Sequence, residues 1–363
     1  MSASADPIVA VSQRLESFVA DQVVAASSIG PEGALFVDAA AAALSGGKRL
    51  RARFCAIGWR AIAETQPGAT ADAGADVIAA AAALEVFHAA ALVHDDLIDN
   101  SDTRRGRPAA HRALEHQHGV AGWSGDAAAF GRSAALLLGD LLVAWSDDLL
   151  EEGLASAPHA DAARRLYALM RRDVTIGQFL DIAEEAAYVT APTDEHAERA
   201  LRVASLKSAR YSIEHPLLLG GLLAGADAAQ CEALSGFGHP LGLAFQLRDD
   251  VLGVFGDSAV TGKPVGDDLR EGKRTVLVAY TRERLDAGAR RVFDELLGDP
   301  TLEDDQIAAL QQTIVGTGAL ARVEELITRF AGDADRALRG APLGTHAVGM
   351  LRDLARDAIT RAA

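Results

Sequence analysis

Carboxylates one helical turn apart in an apolar helix repel each other unless a cation lies against them, and this chain carries such a set twice. Asp95 and Asp96 are followed by Asp99, and Asp249 and Asp250 recur far downstream, each set within a stretch rich in Ala, Leu, Val and Ile. On a helix Asp95 and Asp99 stack on one face, with roughly 5–6 Å between their Cβ atoms. Left alone, that arrangement pushes protons onto the carboxylates. A hard divalent cation removes the penalty, and magnesium in particular takes one or two protein carboxylates and fills its shell with substrate phosphate and water. The residues imply magnesium and a phosphorylated substrate.

Cations are placed to meet such a substrate. Gly46-Gly47-Lys48-Arg49-Leu50-Arg51 opens a helix, with two glycines that let backbone approach a ligand and with Lys48 and Arg51 on one face at the end where anions are favoured. Arg104-Arg105-Gly106-Arg107-Pro108 follows the first acidic helix directly. His88 lies seven residues before Asp95, on the same face; alone it would read more often as a satisfied core histidine. Lys207-Ser208, with Arg202 and Arg210 nearby, reads either as an exposed polar face or as a further anion contact, and Thr261-Gly262-Lys263-Pro264 places a lysine in a Gly-rich loop. Nucleophile triads, a GxxxxGK[ST] loop and a GxGxxG fingerprint are absent, which removes support for acyl transfer, nucleotide hydrolysis and hydride transfer.

The elements that must hold these groups read as helices. Ala recurs in every long segment of the 363 residues, while aromatic residues are 5%, a composition that favours helix over strand. Breaks fall at residues 65–74, 101–108, 119–131, 156–161, 190–194, 225–229, 256–266, 298–304 and 340–344, where Gly, Pro, Ser and Asp gather. Ten or more helices in one all-α bundle are expected. Length alone suggests two domains, but no linker appears, so a single domain over residues 1–363 is the expectation. Leu92–Ile98 and Gln246–Leu252 resemble each other, as two acidic helices forming two walls of one site would.

A net charge of −16 argues against a nucleic-acid surface. Cys55 and Cys231 are solitary and fit a reducing cytoplasm. The first twenty residues lack a basic n-region and a long apolar run, so no signal peptide is expected. Val77–Val93, the most apolar stretch, carries Glu85 and His88 and reads as a buried helix with no membrane span.

Taken in order and spacing, GGKxxR at Gly46, DDxxD at Asp95, RRG at Arg104 and QxRDD at Gln246, followed by Gly266-Asp267-Asp268-Leu269-Arg270-Glu271-Gly272-Lys273, make the chain similar to the trans-polyprenyl diphosphate synthases, above all geranylgeranyl diphosphate synthases. The resemblance implies an isoprenoid-synthase bundle of helices around a deep central cavity, usually a homodimer. It implies three magnesium ions, held by Asp95, Asp96, Asp99, Asp249 and Asp250. Lys48, Arg51, His88 and Arg105 match isopentenyl diphosphate contacts. Arg104, Lys207, Ser208, Gln246 and Lys263 match contacts to the allylic diphosphate. The second motif departs from the family pattern in having Gly253 where a third Asp is common, which leaves Asp257 or Asp267, acting through water, to complete the third metal's shell.

The resemblance implies chain elongation by ionisation, condensation and elimination. The growing tail then runs from the metals back along the first acidic helix, where small Ala90 and Ala91 leave room and Phe87 forms a floor, giving a C20 product; Phe87 as ordinary core packing is the alternative. Farnesyl or longer products, a class I terpene cyclase, and a non-catalytic subunit of a heteromeric synthase are the competing readings.

Overall fold

The computed structural model describes residues 6–68, 73–256 and 265–359. Their regular secondary structure is helical but for one small hairpin, as the composition implies. The chain divides into two compact units, residues 1–163 with 219–226, and residues 164–218 with 227–363.

The first unit is built on α4 (Ala75–Ile98), against which α1 (Pro7–Ala26), α3 (Leu50–Ala63) and α6 (Ala127–Leu154) pack, with α2 (Pro31–Ala43) and α5 (Ala110–Val120) beside them. The Ala run of α4 explains its position: small side chains let neighbouring backbones come close, and residues 79–87 are all buried. Glycines on α6 do the reciprocal job. A Cβ on Gly139 would lie 2.1 Å from the His94 ring, and one on Gly153 would lie 2.7 Å from the Ala79 Cβ. The break expected over 119–131 ends earlier, at Asp126. Its carboxylate accepts the Ala128 and Ala129 N–H groups at 2.9 and 3.1 Å and so starts α6 four residues before Gly131. Both α4 and α6 are long and apolar enough to cross a membrane by length and composition; most of α4 is buried in the protein.

The expected loop over 101–108 contains a two-stranded antiparallel hairpin, β1 (Thr103–Arg104) and β2 (Arg107–Pro108). Its corner residues, Arg105 and Gly106, have φ of 54° and 71°, the positive values that a tight two-residue hairpin turn of the I′ kind requires.

The second unit is organised by α10 (Ala228–Phe255), capped by a reciprocal Asp227–Gln230 box and carrying Pro240 inside. It packs on α15 (Ala319–Ala337) and on an eleven-residue π-helical segment, Ala204–Glu214, between α8 (His196–Val203) and α9 (His215–Leu223). Wide helical turns of this kind concentrate at functional sites. Glycines again set the approach: a Cβ on Gly242 would lie 2.4 Å from the Ala209 carbonyl oxygen, and one on Gly177, in α7 (Ala160–Ala187), would lie 2.4 Å from the Lys207 nitrogen. Short helices α11 (Asp267–Glu271), α12 (Val276–Arg284), α13 (Ala287–Leu296) and α14 (Asp304–Gly316), with α16 (Thr345–Ile359), complete this unit.

Close backbone approach should make helix glycines unequal. A Cβ on Gly220 would sit 1.9 Å from the Cys55 carbonyl oxygen, whereas one on Gly349 would meet nothing within 4 Å. Urea unfolding should therefore show Gly220→Ala destabilising by about 1–3 kcal/mol and Gly349→Ala stabilising by about 0.5–1 kcal/mol. Equal effects at the two positions would contradict the packing.

Candidate active site

The first acidic set sits at the wrong end of its helix. Ile98 is the last helical residue of α4, Asp99 is its C-cap with its N–H on the Asp95 carbonyl at 2.8 Å, and the last turn has no basic residue. A helix C-terminus already carries partial negative charge, so three aspartates there raise the local demand for a cation. His88, Ala91, Leu92, Asp95 and Asp99 form a half-buried strip along this part of α4, while Asp96 is 3% exposed and turned inward. Arg104 reaches back from β1 to Asp96, with its Nε donating to Oδ1 at 2.7 Å, and its Nη2 lies 3.6 Å from Asp95 Oδ2. The hairpin thus delivers a guanidinium to the acidic turn. Ala90 is fully buried and Phe87 nearly so, leaving Ala91 as the small residue of the half-buried strip.

A basic rim adjoins this turn. Gly46, Gly47 and Arg49 have φ of 74°, 90° and 50°, so the chain curls tightly before α3. A Cβ on Gly47 would come within 3.1 Å of Arg105 Nη1, so the Gly-Gly turn and the hairpin corner meet. Lys48 is exposed and Arg51 is buried. Burial, then the charges of Arg51, Arg105, Arg104 and Arg49, hold the His88 imidazole well below its usual pKa, so His88 is neutral in a positive field. Burial and Arg104 likewise lower the pKa of Arg105. Arg51, His88, Arg104 and Arg105 are therefore gathered near Asp95 and Asp96 in the first unit, with Lys48 exposed in the adjoining turn and Asp99 at the end of α4. Arg49 and Glu85 join them unforeseen: Glu85, 4% exposed, accepts the Ala52 N–H at 3.0 Å and lies 3.7 Å from Arg49 Nη1. The signal available beforehand was an acid alone in an apolar helix.

In the second unit, Asp249 and Asp250 occupy the C-terminal part of α10. Asp250 is 8% exposed and pushed up to about 8, first by burial, then by the Asp268 carboxylate and also by Asp249, while the Gln246 amide donates to its Oδ1 at 2.7 Å and opposes the shift. A Cβ on Gly253 would lie 2.0 Å from Asp268 Oδ2. The carboxylate beside Gly253 thus comes from Asp268 on α11, where the expectation was Asp257 or the neighbouring Asp267; Asp257 lies outside the described residues. Lys273 Nζ is 3.7 Å from Asp268 and 2.7 Å from Glu271. Arg248 clamps the turn from behind, donating to both oxygens of Glu324 on α15 at 2.6 and 2.7 Å. Lys207 and Ser208 lie in the π-helical segment, and Lys207 Nζ pairs with Asp181 on α7 at 2.5 Å. Lys263 lies outside the described residues.

Among the described residues no three His, Cys, Asp or Glu are clustered to hold a metal by themselves. All-oxygen donors, too few to complete a shell, and a carboxyl driven toward its protonated form by burial and then by neighbouring carboxylates fit a hard cation that shares its ligands with a phosphate.

The family model described as Polyprenyl synthetase matches residues 34–314. The chain is 36% identical to a (2E,6E)-farnesyl diphosphate synthase of Mycobacterium tuberculosis across 67% of this chain and 62% of that one. It is 34% identical to a geranylfarnesyl diphosphate synthase of Aeropyrum pernix across 76% and 78%. It spans a little under two thirds of some curated relatives, 64% for a short-chain isoprenyl diphosphate synthase of Methanocaldococcus jannaschii. Among solved structures, a geranylgeranyl pyrophosphate synthase of Corynebacterium glutamicum, complexed with isoprenyl diphosphate and magnesium, superposes with a TM-score of 0.91 at 37% identity, covering 98% of each chain. With acidic helix ends, a glycine-hinged basic turn and an arginine hairpin in the order that the matched model spans, the chain belongs to the polyprenyl synthetase family.

Proposed function

We propose that this chain, acting as a single 363-residue domain, is a magnesium-dependent trans-prenyltransferase that condenses isopentenyl diphosphate with allylic diphosphates and releases geranylgeranyl diphosphate (C20). The observation that carries the reading is the gathering of Lys48, Arg51, His88 and Arg105 beside an acidic helix end that bears Asp95 and Asp99. Anion-binding and cation-binding groups this close serve a substrate that is itself a metal-bound anion.

Asp95, Asp96 and Asp99 would hold two magnesium ions, and Asp249 and Asp250, with Asp268 beside Gly253, a third. Bound there, magnesium neutralises the charge that grows on a departing diphosphate. Arg104, Lys207 and Lys263 add their charge to that leaving group, with Ser208 and Gln246 as neutral contacts. Lys48, Arg51 and Arg105 hold the isopentenyl diphosphate, and neutral His88 contributes a ring nitrogen without adding charge. The allylic C–O bond breaks first, its electron pair leaving with the diphosphate, and the double bond of isopentenyl diphosphate attacks the carbocation that remains. The released diphosphate then takes the proton whose loss restores a double bond. Apolar walls exclude the water that would intercept the cation.

Ala91 on the half-buried strip of α4 supports an open upper tail path, and the buried Phe87 supports a floor below it. Relatives bearing farnesyl, geranylgeranyl and geranylfarnesyl names bracket the proposed length. The 28-residue α6 supports homodimer formation, since Leu136 and Leu137 are 51% and 58% exposed on a helix whose other side is packed. The solitary cysteines support a cytoplasmic setting.

Incubation with isopentenyl diphosphate and C5, C10 or C15 primers should yield C20 products, abolished by EDTA and restored by magnesium. Chromatography showing a cyclised hydrocarbon, or no product from the pure protein, would refute this reading. Ala91→Phe should shorten the products and Phe87→Ala lengthen them; unchanged lengths in both variants would rule out the proposed floor.

A second test concerns the missing aspartate. Gly253→Ala should displace the Asp268 carboxylate, and Asp268→Asn should remove its charge. Each should lower kcat by on the order of 10²-fold and raise the magnesium concentration needed for half-maximal rate. A Gly253→Asp variant as active as the parent would show that Asp268 has no such role.

A further inference from the structure

We infer that Glu85 is a positioning residue for the isopentenyl diphosphate subsite, holding the Gly46–Arg51 turn in its binding shape; this rests on the assignment of Lys48, Arg51 and Arg105 to that substrate. The turn cannot hold itself. Three of its residues have positive φ, and one of them, Arg49, is not glycine, a conformation that persists only where surrounding contacts enforce it. Arg49 is also the N-cap residue of α3, and its side chain caps nothing there.

Glu85 supplies what the local sequence lacks. Its Oε1 accepts the Ala52 N–H at 3.0 Å, the bond that an N-cap side chain would ordinarily make to the third helical residue. Its Oε2 lies 3.7 Å from Arg49 Nη1, while Arg49 Nη2 donates to the Leu44 carbonyl at 2.9 Å. One carboxylate therefore ties the first turn of α3 and the left-handed arginine to α4, the helix that also bears His88 and Asp95. It further acts on Arg105 in the opposite sense to Arg104, Arg49 and Arg51, offsetting part of their repulsion. Burial at 4% exposure places the interaction where solvent screens it little. Lys48 and Arg51, on either side of Arg49, take their places from this anchor.

Steady-state kinetics with each substrate varied in turn separates anchoring from general support of the fold. Glu85→Gln retains an oxygen for the Ala52 N–H and removes the charge facing Arg49. Its KM for isopentenyl diphosphate should rise about tenfold, the scale expected for losing one partner of a close charge pair, with the allylic KM changed less than twofold and an unchanged thermal midpoint. Glu85→Ala, which also removes the cap, should raise the same KM further. Lys48→Ala provides the control for the underlying assignment. If Lys48→Ala leaves the isopentenyl KM unchanged, the subsite assignment fails and this inference with it. If Lys48→Ala raises that KM but Glu85→Gln leaves it unchanged or lowers it, the assignment stands and the positioning role is overturned. A parallel rise in both KM values with a fallen thermal midpoint would also overturn it, because that pattern marks structural support alone.

Discussion

Electrostatic self-repulsion is the constraint around which the molecule is arranged. Asp95, Asp96 and Asp99 stand at the negative end of α4, and Asp249 and Asp250 stand near the same end of α10, where the backbone adds to their charge instead of relieving it. Arginine meets part of this demand: Arg104 donates to buried Asp96 and also lies 3.6 Å from the half-buried Asp95. In the second unit burial, joined by the charges of Asp268 and Asp249, pushes Asp250 toward its protonated form. Both arrangements keep charge in reserve for a ligand at a standing cost to stability, a trade common at sites of chemistry.

Packing makes that reserve tolerable. α4 is hemmed in because its Ala run and the glycines of α6 allow two backbones to lie unusually close, so the acidic turn cannot swing away to relieve itself. In the second unit, Gly177 and Gly242 press α7 and α10 onto the π-helical segment that carries Lys207. The Arg248–Glu324 pair fixes the last turns of α10 against α15. Rigid placement of groups that would otherwise separate is the condition for electrostatic preorganisation.

Helical periodicity and composition were enough to read the all-α class, the run of helices and the two acidic sets, because those signals are local and repeat over many residues. The first basic turn was legible through its glycines. What escaped depends on partners distant in sequence. Nothing around Arg105 announced a hairpin, because arginine is an unusual first residue for its corner. The π-helical winding at Ala204–Glu214 leaves the same apolar spacing as an ordinary helix end over so few residues. Asp268 was indistinguishable from Asp267 until Gly253 proved to be the space that its carboxylate fills. Glu85 looked like a tolerated charge, since its partners Ala52 and Arg49 lie more than thirty residues upstream.

The hairpin's tether has an evolutionary corollary. Arg104 grips the very helix from which its strand departs, after a connection of only a few residues, and Arg105 at the corner meets Gly47. Lengthening or trimming that connection by a single residue would detach the grip and rotate the corner arginine off its neighbour. Insertions and deletions in this lineage should accordingly accumulate outside the span from Asp96 to Arg107, making it a fixed-length ruler within an otherwise pliable chain.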